Sequence, residues 1–252
     1  MLLEAEPPVA WLTFNRPEAR NAMTWPMYDG LVKACDWADS QPELRVLLLT
    51  GAGEHAFVAG TDIAQFKDFR TAQDALDYEA KMEVVVGRLE RVRCATIAVI
   101  RGYAVGAGAA IAMACDLRVC ATDLQFGVPI ARTLGNTLNM ANFRRLVALV
   151  GQGRAKDLMF TARTMGAQEA QQTGLATIVT APEDLKIKAE SLAKTIAGNA
   201  PLTIQASKEA IRRLAAGDPN EADLIALAYT SEDFREGVTS FLEKRKPVWR
   251  GR

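Results

Sequence analysis

Between residues 9 and 15 the chain alternates apolar and polar positions in VAWLTFN, a run rich in β-formers that RPEARN closes, and this predicts a strand and a turn. WPMYDGLVKACDWADS (25–40) predicts a helix that tolerates Pro26 in its first turn. The continuous apolar runs LRVLLLTG (44–51) and ATIAVIRG (95–102), each ended by glycine, predict strands buried on both faces. Over 71–92 the rhythm of Tyr78, Met82, Val85, Val86 and Leu89 marks one face of a long helix. GYAVGAGAAIAMACD (102–116) continues from its strand as a buried helix, and LRVCAT (117–122) and LQFGV (124–128) follow as short strands. Phe143, Leu146, Val147 and Val150 share a helical face across 139–150, and beyond 152 the pattern is helical except for a short strand at ATIVT (176–180). Strands and helices thus alternate for about 130 residues before helices take over, which predicts a layered α/β core with a helical C-terminal extension.

Charge and cysteine usage narrow the partners. Thirty basic residues balance thirty acidic ones, so no overall field draws nucleic acid or a membrane surface. No run approaches the ~20 apolar residues that cross a bilayer, and MLLEAEPPVAWLTF has an acid at position 4 and no basic start, so no signal peptide is expected. Cys35, Cys94, Cys115 and Cys120 lack metal-ligand spacing and three sit in apolar runs, as expected of reduced, buried thiols in a cytoplasmic protein.

The glycine segment is the chemical question. Gly106-Ala107-Gly108 opens like a dinucleotide fingerprint, but Ile111 stands where the third small residue belongs and no acid follows at the usual distance. Two explanations remain open from this segment alone: tight strand–helix packing, or a helix N-terminus whose unpaired N–H groups hold an anion. A second stretch, GAGEHAFVAGTDIAQF (51–66), brings Ala59-Gly60-Thr61 into another bend, with Asp62 suited to the start of a short helix. Two such bends are able to aim two N–H groups at one oxygen.

FNRPEARNAM (14–23), AFVAGTDI (56–63), RGYAVGAGAAIAMACDLRV (101–119) and SFLEKRKPVW (240–249) together resemble the crotonase family, the enoyl-CoA hydratases and isomerases, in order and spacing over most of the chain. The resemblance implies an α/β fold of the ClpP/crotonase type, a spiral of ββα units over 1–190 with a helical trimerisation region over 191–252. It implies an acyl-CoA thioester as substrate, with coenzyme A entering only as part of it, no permanent cofactor or metal, and a homotrimer or dimer of trimers. By motif position the amides of Thr61 and Ala107 form the family's oxyanion hole. Thr61→Ala is therefore expected to be mild, because the side chain is not the donor. Arg16, Ala19, Ala59 and Gly60 match coenzyme A contacts, and Phe241 and Lys244 match tail residues that approach it, often from a neighbouring subunit.

The chain departs from the family where hydratases keep two glutamates, having Ala110 and Ile130 instead, neither of which transfers a proton. Spacing back from Ala107 brings Glu83 to a place some relatives use for an acid or base, with Glu79 one turn earlier; a solvated helix flank is the alternative for both. Arg132, Asn136 and Asn139 crowd a region that in relatives faces the acyl chain. A buried Arg132 there suits a substrate carboxylate and opens decarboxylation, while Asn136 also suits a helix start. His55, the sole histidine, reads as a surface residue, and Asp116 and Asp123 as structural. Isomerisation, hydration, elimination and decarboxylation stay open, as does a catalytically weak homologue that binds acyl-CoA as a module.

Overall fold

In a computed structural model, which describes residues 1–67 and 69–252, the two apolar runs form the centre of a six-stranded sheet. Its strands are β1 (Leu2–Glu6), β2 (Val9–Phe14), β3 (Val46–Gly51), β5 (Ala95–Ile100), β7 (Leu117–Ala121) and β10 (Ile178–Thr180), adjacent in that order. β2 through β10 run parallel, and only β1, which the sequence pattern did not suggest, pairs antiparallel at the edge.

The unbroken hydrophobicity of β3 and β5 has a two-sided cause. Leu47, Leu49, Ala98 and Ile100 face one apolar cluster, built with α1 (Trp25–Ser40), α2 (Ala72–Glu90) and α3 (Ala107–Ala114). Val46, Leu48, Ala95, Ile97 and Val99 face the other, covered by Leu185, Ala189 and Ala193 of α7 (Leu185–Ala197). Alternate residues of a strand serve opposite faces, so both must be apolar. The domain boundary expected at 190 falls inside α7.

A second, smaller sheet positions the site. β4 (Ala56–Val58), β6 (Tyr103–Val105) and β8 (Gln125–Gly127) pair in parallel, and β9 (Met165–Gly166) closes the sheet antiparallel to β8. Long strand, short strand and helix recur as β3–β4–α2, β5–β6–α3 and β7–β8–α4 (Ile130–Thr133), the expected ββα spiral. The carboxyl ends of the three short strands lie side by side, where parallel sheets commonly place their ligands.

The helix anticipated over 139–150 is the first part of α5 (Met140–Thr161), which breaks at Gly151, φ +78°, and resumes. After α6 (Ala167–Thr173) and α7 come α8 (Pro201–Ala215), α9 (Ala222–Tyr229) and α10 (Glu232–Leu242). α8 is pinned to the core by Lys208, whose ammonium donates to the Asp116 carboxylate at 2.8 Å; that carboxylate also accepts from the Thr96 amide at 2.7 Å. Asp116 is structural, as its sequence context implied.

All four cysteines are unpaired and buried. Burial pushes the thiols of Cys35, Cys115 and Cys120 up to about 12 and that of Cys94 up to about 11, so they act as small hydrophobes.

Gly108 and Gly153 make a matched test of this packing. A Cβ on Gly108 would lie 2.0 Å from the Val58 carbonyl oxygen, whereas one on Gly153 meets nothing within 4 Å. Gly108→Ala is expected to destabilise the fold by about 3 kcal/mol or more. Gly153→Ala, in a helix, is expected to stabilise it by roughly 0.5–1 kcal/mol. Denaturant melts of the two variants check the pair.

Candidate active site

The bends after β4 and β6 both turn at glycine and lie in contact. Gly60 sits at φ +102° and Gly106 at φ +55°, conformations that side chains disfavour, and a Cβ built on Gly106 would touch the Gly60 Cα at 3.6 Å. The segment FNRPEARNAM (14–23) holds the first bend in place. The Met23 amide donates to the Gly60 carbonyl at 2.8 Å and the Asp62 amide to the Met23 carbonyl at 2.9 Å. That short parallel bridge between Met23 and Thr61 uses the groups flanking Thr61 and leaves the Thr61 N–H on its opposite side. Buried Asn21 fastens the same turn, its side chain donating to the carbonyls of Ala52 and Ala56 at 2.9 and 2.8 Å. Ala107 is the first residue of α3, so its N–H has no acceptor within the helix. Neither amide has an acceptor among the described residues.

Both residues line a cavity of about 280 Å³. Its walls come from the bends 59–61 and 106–107, from Val128, Pro129 and Ile130 after β8, from one face of α2, from Tyr28 and from the 133–138 segment. Most of these side chains are apolar. Ala110 and Ile130 both line the cavity.

Among the described residues the acidic side chain on the cavity wall is Glu79, not Glu83, the residue that the sequence favoured. Both oxygens of Glu83 accept from the Arg145 guanidinium at 2.8 Å, and Arg145, its side chain 3 % exposed, also holds Glu90 at 2.7 Å. Glu83 therefore turns toward α5 and does not line the cavity, while Glu79 does. Burial pushes the Glu79 carboxyl up, opposed by hydrogen bonding from Asn139.

Arg132 also falls elsewhere than expected: it is exposed and off the cavity wall, because the short α4 turns it outward. Asn136 lines the cavity, but the helix start expected there is at Asn139, whose side chain caps α5 by accepting from the Asn142 amide at 2.9 Å. Ala59 and Gly60 line the cavity, and Ala19 lies in the turn beside them. Arg16 pairs with Asp62 at 2.8 Å and holds that carboxyl below the usual range. Asp62 caps its short helix by accepting from the Ala64 amide at 3.2 Å. Phe241, 83 % exposed, and Lys244 sit at and beyond the end of α10, away from this cavity. His55 is exposed.

Sequence reasoning missed a hydroxyl cluster. The Thr61 hydroxyl oxygen lies 2.6 Å from the phenol of Tyr28 and 3.1 Å from that of Tyr78. The rings of Trp25, Phe66 and Phe69 pack around Tyr78. Burial pushes both phenols up, so they stay neutral donors at physiological pH. Tyrosine at positions on buried helix faces, where leucine or phenylalanine would pack as well, is the signal that was available. Among the described residues no group of three or more His, Cys, Asp or Glu is placed to hold a metal, and no helix is long and apolar enough to cross a membrane.

The family model for enoyl-CoA hydratase/isomerase matches residues 4–252. The short-chain-enoyl-CoA hydratase of Clostridium acetobutylicum is 36 % identical over 98 % of this chain and 95 % of its own length. The crotonyl-CoA hydratase of Syntrophomonas wolfei is 36 % identical over 98 % of this chain and 96 % of its own. A crystal structure described as an enoyl-CoA hydratase/carnithine racemase from Magnetospirillum magneticum superposes with a TM-score of 0.91 at 31 % identity, covering 99 % of this chain and 95 % of that one.

The hydroxyl cluster changes the outcome expected for Thr61→Ala, which strands the Tyr28 phenol in the core. A loss of about 1–3 kcal/mol of stability is expected, largely restored in Thr61→Ser, as read by denaturant melts. For Glu79 the sign is set by its raised folded-state value. The folded protein is penalised for ionising it, a penalty absent below the ordinary glutamate range and fully present once pH exceeds the folded value. Glu79→Gln is therefore expected to raise Tm relative to the parent at neutral pH, with the gain vanishing toward pH 4.

Proposed function

The chain belongs to the enoyl-CoA hydratase/isomerase family, and on that premise we propose that it acts on an acyl-CoA thioester whose carbonyl oxygen lies between the main-chain N–H groups of Thr61 and Ala107. The observation that carries this reading is the contact of two glycine bends at one cavity, each presenting an amide without an acceptor among the described residues. Fixed donors of this kind stabilise the enolate that forms when the carbon beside the thioester loses a proton or its neighbour gains a nucleophile. Removing one such donor typically costs about 3 kcal/mol of transition-state stabilisation.

With Ala110 and Ile130 unable to move protons, Glu79 is the proton carrier in this reading. Its partly desolvated carboxyl retains a proton to higher pH than an exposed glutamate, which suits a group that exchanges protons with a carbon or an oxygen of the substrate. Isomerisation, hydration and elimination all fit one carboxyl beside an enolate. Decarboxylation loses the support that a buried Arg132 would have lent it. Ala59 and Gly60 on the cavity wall, with Arg16 and Ala19 in the neighbouring turn, suit the pantetheine and phosphates of coenzyme A in this reading. Exposed apolar side chains on the last three helices, among them Ile211, Leu214, Ile225 and Tyr229, support assembly into a trimer or a dimer of trimers. Such assembly would bring Phe241 and Lys244 to a neighbour's coenzyme A. The buried, unpaired thiols fit a reducing, cytoplasmic setting.

The loss of both glutamate positions favours a second reading, an acyl-CoA-binding module with little turnover. A panel of enoyl-, 3-hydroxyacyl- and malonyl-type CoAs followed by mass spectrometry separates the two, since tight binding without product across the panel selects the module. For the enzyme, Glu79→Gln is expected to lower kcat at least about a hundredfold with acyl-CoA binding preserved; near-normal turnover removes Glu79 from the reaction. Thr61→Pro, which deletes one amide donor, is expected to abolish turnover while circular dichroism still reports a folded chain. An active Thr61→Pro would sink the carbonyl assignment.

A further inference from the structure

The helix that begins at Ala107 has few side chains to hold it in place. Of the eight residues of α3, only Ile111 and Met113 carry side chains longer than a methyl group, so its faces offer few ridges that resist sliding along the axis. Its far end is held by Arg118 on β7, which is 4 % exposed. The Arg118 Nη1 donates to the carbonyls of Ala112 at 3.2 Å and Cys115 at 2.8 Å, in the last turn and at the cap of α3. Its Nη2 donates to the Asp116 carbonyl at 3.3 Å and its Nε to the Leu175 carbonyl at 2.5 Å. Among the described residues every acceptor of this guanidinium is a main-chain carbonyl. A helix end leaves its last carbonyls unpaired and carries the negative pole of the helix, and a forked cation answers both. The Arg118 main chain is in turn fixed in the large sheet, where it pairs with Ala98 of β5.

We propose that Arg118 is a positioning residue for the reaction: by clamping the C-terminal end of α3 to the large sheet, it sets the axial position of the Ala107 N–H at the other end. This rests on the acyl-CoA reading above, in which that N–H meets the thioester carbonyl. At 1.5 Å per residue α3 is about 12 Å long, a hydrogen-bonded rod short enough to pass a displacement from one end to the other. Helix carbonyls point along the axis, so hydrogen bonds to them act in that direction. The contact of Gly108 with the Val58 carbonyl fixes how closely α3 approaches β4, whereas the guanidinium fixes where α3 stops along its own axis. Oxyanion donors work over a narrow range of distance, and a misplacement of about 1 Å costs on the order of a hundredfold in rate. Lysine at this position would keep the charge and lose the fork that spans carbonyls of two segments.

The carbonyl stretch of bound butyryl-CoA, read by isotope-edited infrared spectroscopy on the intact protein, reports the hydrogen bonds that the thioester oxygen accepts. In the parent it is expected at lower frequency than in free butyryl-CoA. Arg118→Lys is expected still to bind butyryl-CoA but to lose about half or more of that lowering, since one of two donors has moved. Leu185→Ala loosens the opposite face of the large sheet and is expected to keep the parent's frequency, which separates the clamp from a general loss of stability. Thr96→Val disturbs the same helix end more gently. It removes a hydroxyl that donates to the Asp116 carboxylate at 2.8 Å and accepts from the Asp116 amide at 3.0 Å. It is expected to shift the stretch in the same direction, and it decides the question if Arg118→Lys does not fold. A parent-like frequency in folded Arg118→Lys overturns the inference, as does an equal change in Leu185→Ala. If butyryl-CoA binds the parent with no lowering, the two-amide reading falls first, and if it does not bind at all, the acyl-CoA reading does; either takes this inference with it.

Discussion

The parallel register of β4, β6 and β8 is the constraint on which the site depends. Pairing Val58 with Ala104 and Val105 with Gly127 sets the ends of three short strands at one level, so the bends that follow open onto one cavity. The register survives only because the backbones approach closely. Gly108 packs its hydrogens against the Val58 carbonyl, and Gly106 lies against Gly60. A helix N-terminus by itself is a diffuse anion site. Here it is held against a second bend, and the two amides without an acceptor among the described residues belong to residues that line one cavity. The small residues at the start of α3 and the free amide of Ala107 are thus one requirement.

The polar groups around the cavity are sorted by the partners they find. Glu79 and Glu83 lie one turn apart on α2, yet a buried guanidinium on α5 claims Glu83 with both oxygens and Glu79 stays on the cavity wall. A carboxylate held that way is part of the scaffold, because releasing it would leave Arg145 charged and unpaired in the interior. Thr61 has a double role for a similar reason. Its main chain belongs to the bend, while its hydroxyl joins the buried phenol of Tyr28 and the half-buried phenol of Tyr78. The side chain that residue-type reasoning treats as dispensable is therefore what ties the bend to α1 and α2.

Much of the architecture was legible along the chain. α1 has the bounds its periodicity predicts, and β3 and β5 lie within the apolar runs, starting or ending two residues short of the predicted bounds, since those signals report burial on one face or on two. The short strands β4, β6 and β9 were not legible, because two or three residues are too few to show a period and their pairing is entirely non-local. The edge strand β1 was missed because it is exposed along its length and carries no hydrophobic pattern.

The site divides along the same line. Backbone chemistry was readable, because glycine at a strand-to-helix bend is a local requirement of φ. Side-chain chemistry was not. Whether Glu79 or Glu83 faces the cavity and which hydroxyls meet Thr61 depend on residues 17 to 62 positions away. The sequence by itself determined where the chain bends and exposes amides; only the packing of α2 against α1 and α5 decided which side chains those amides have for company, because that choice is made by contacts between elements and leaves no trace in the period of any one of them.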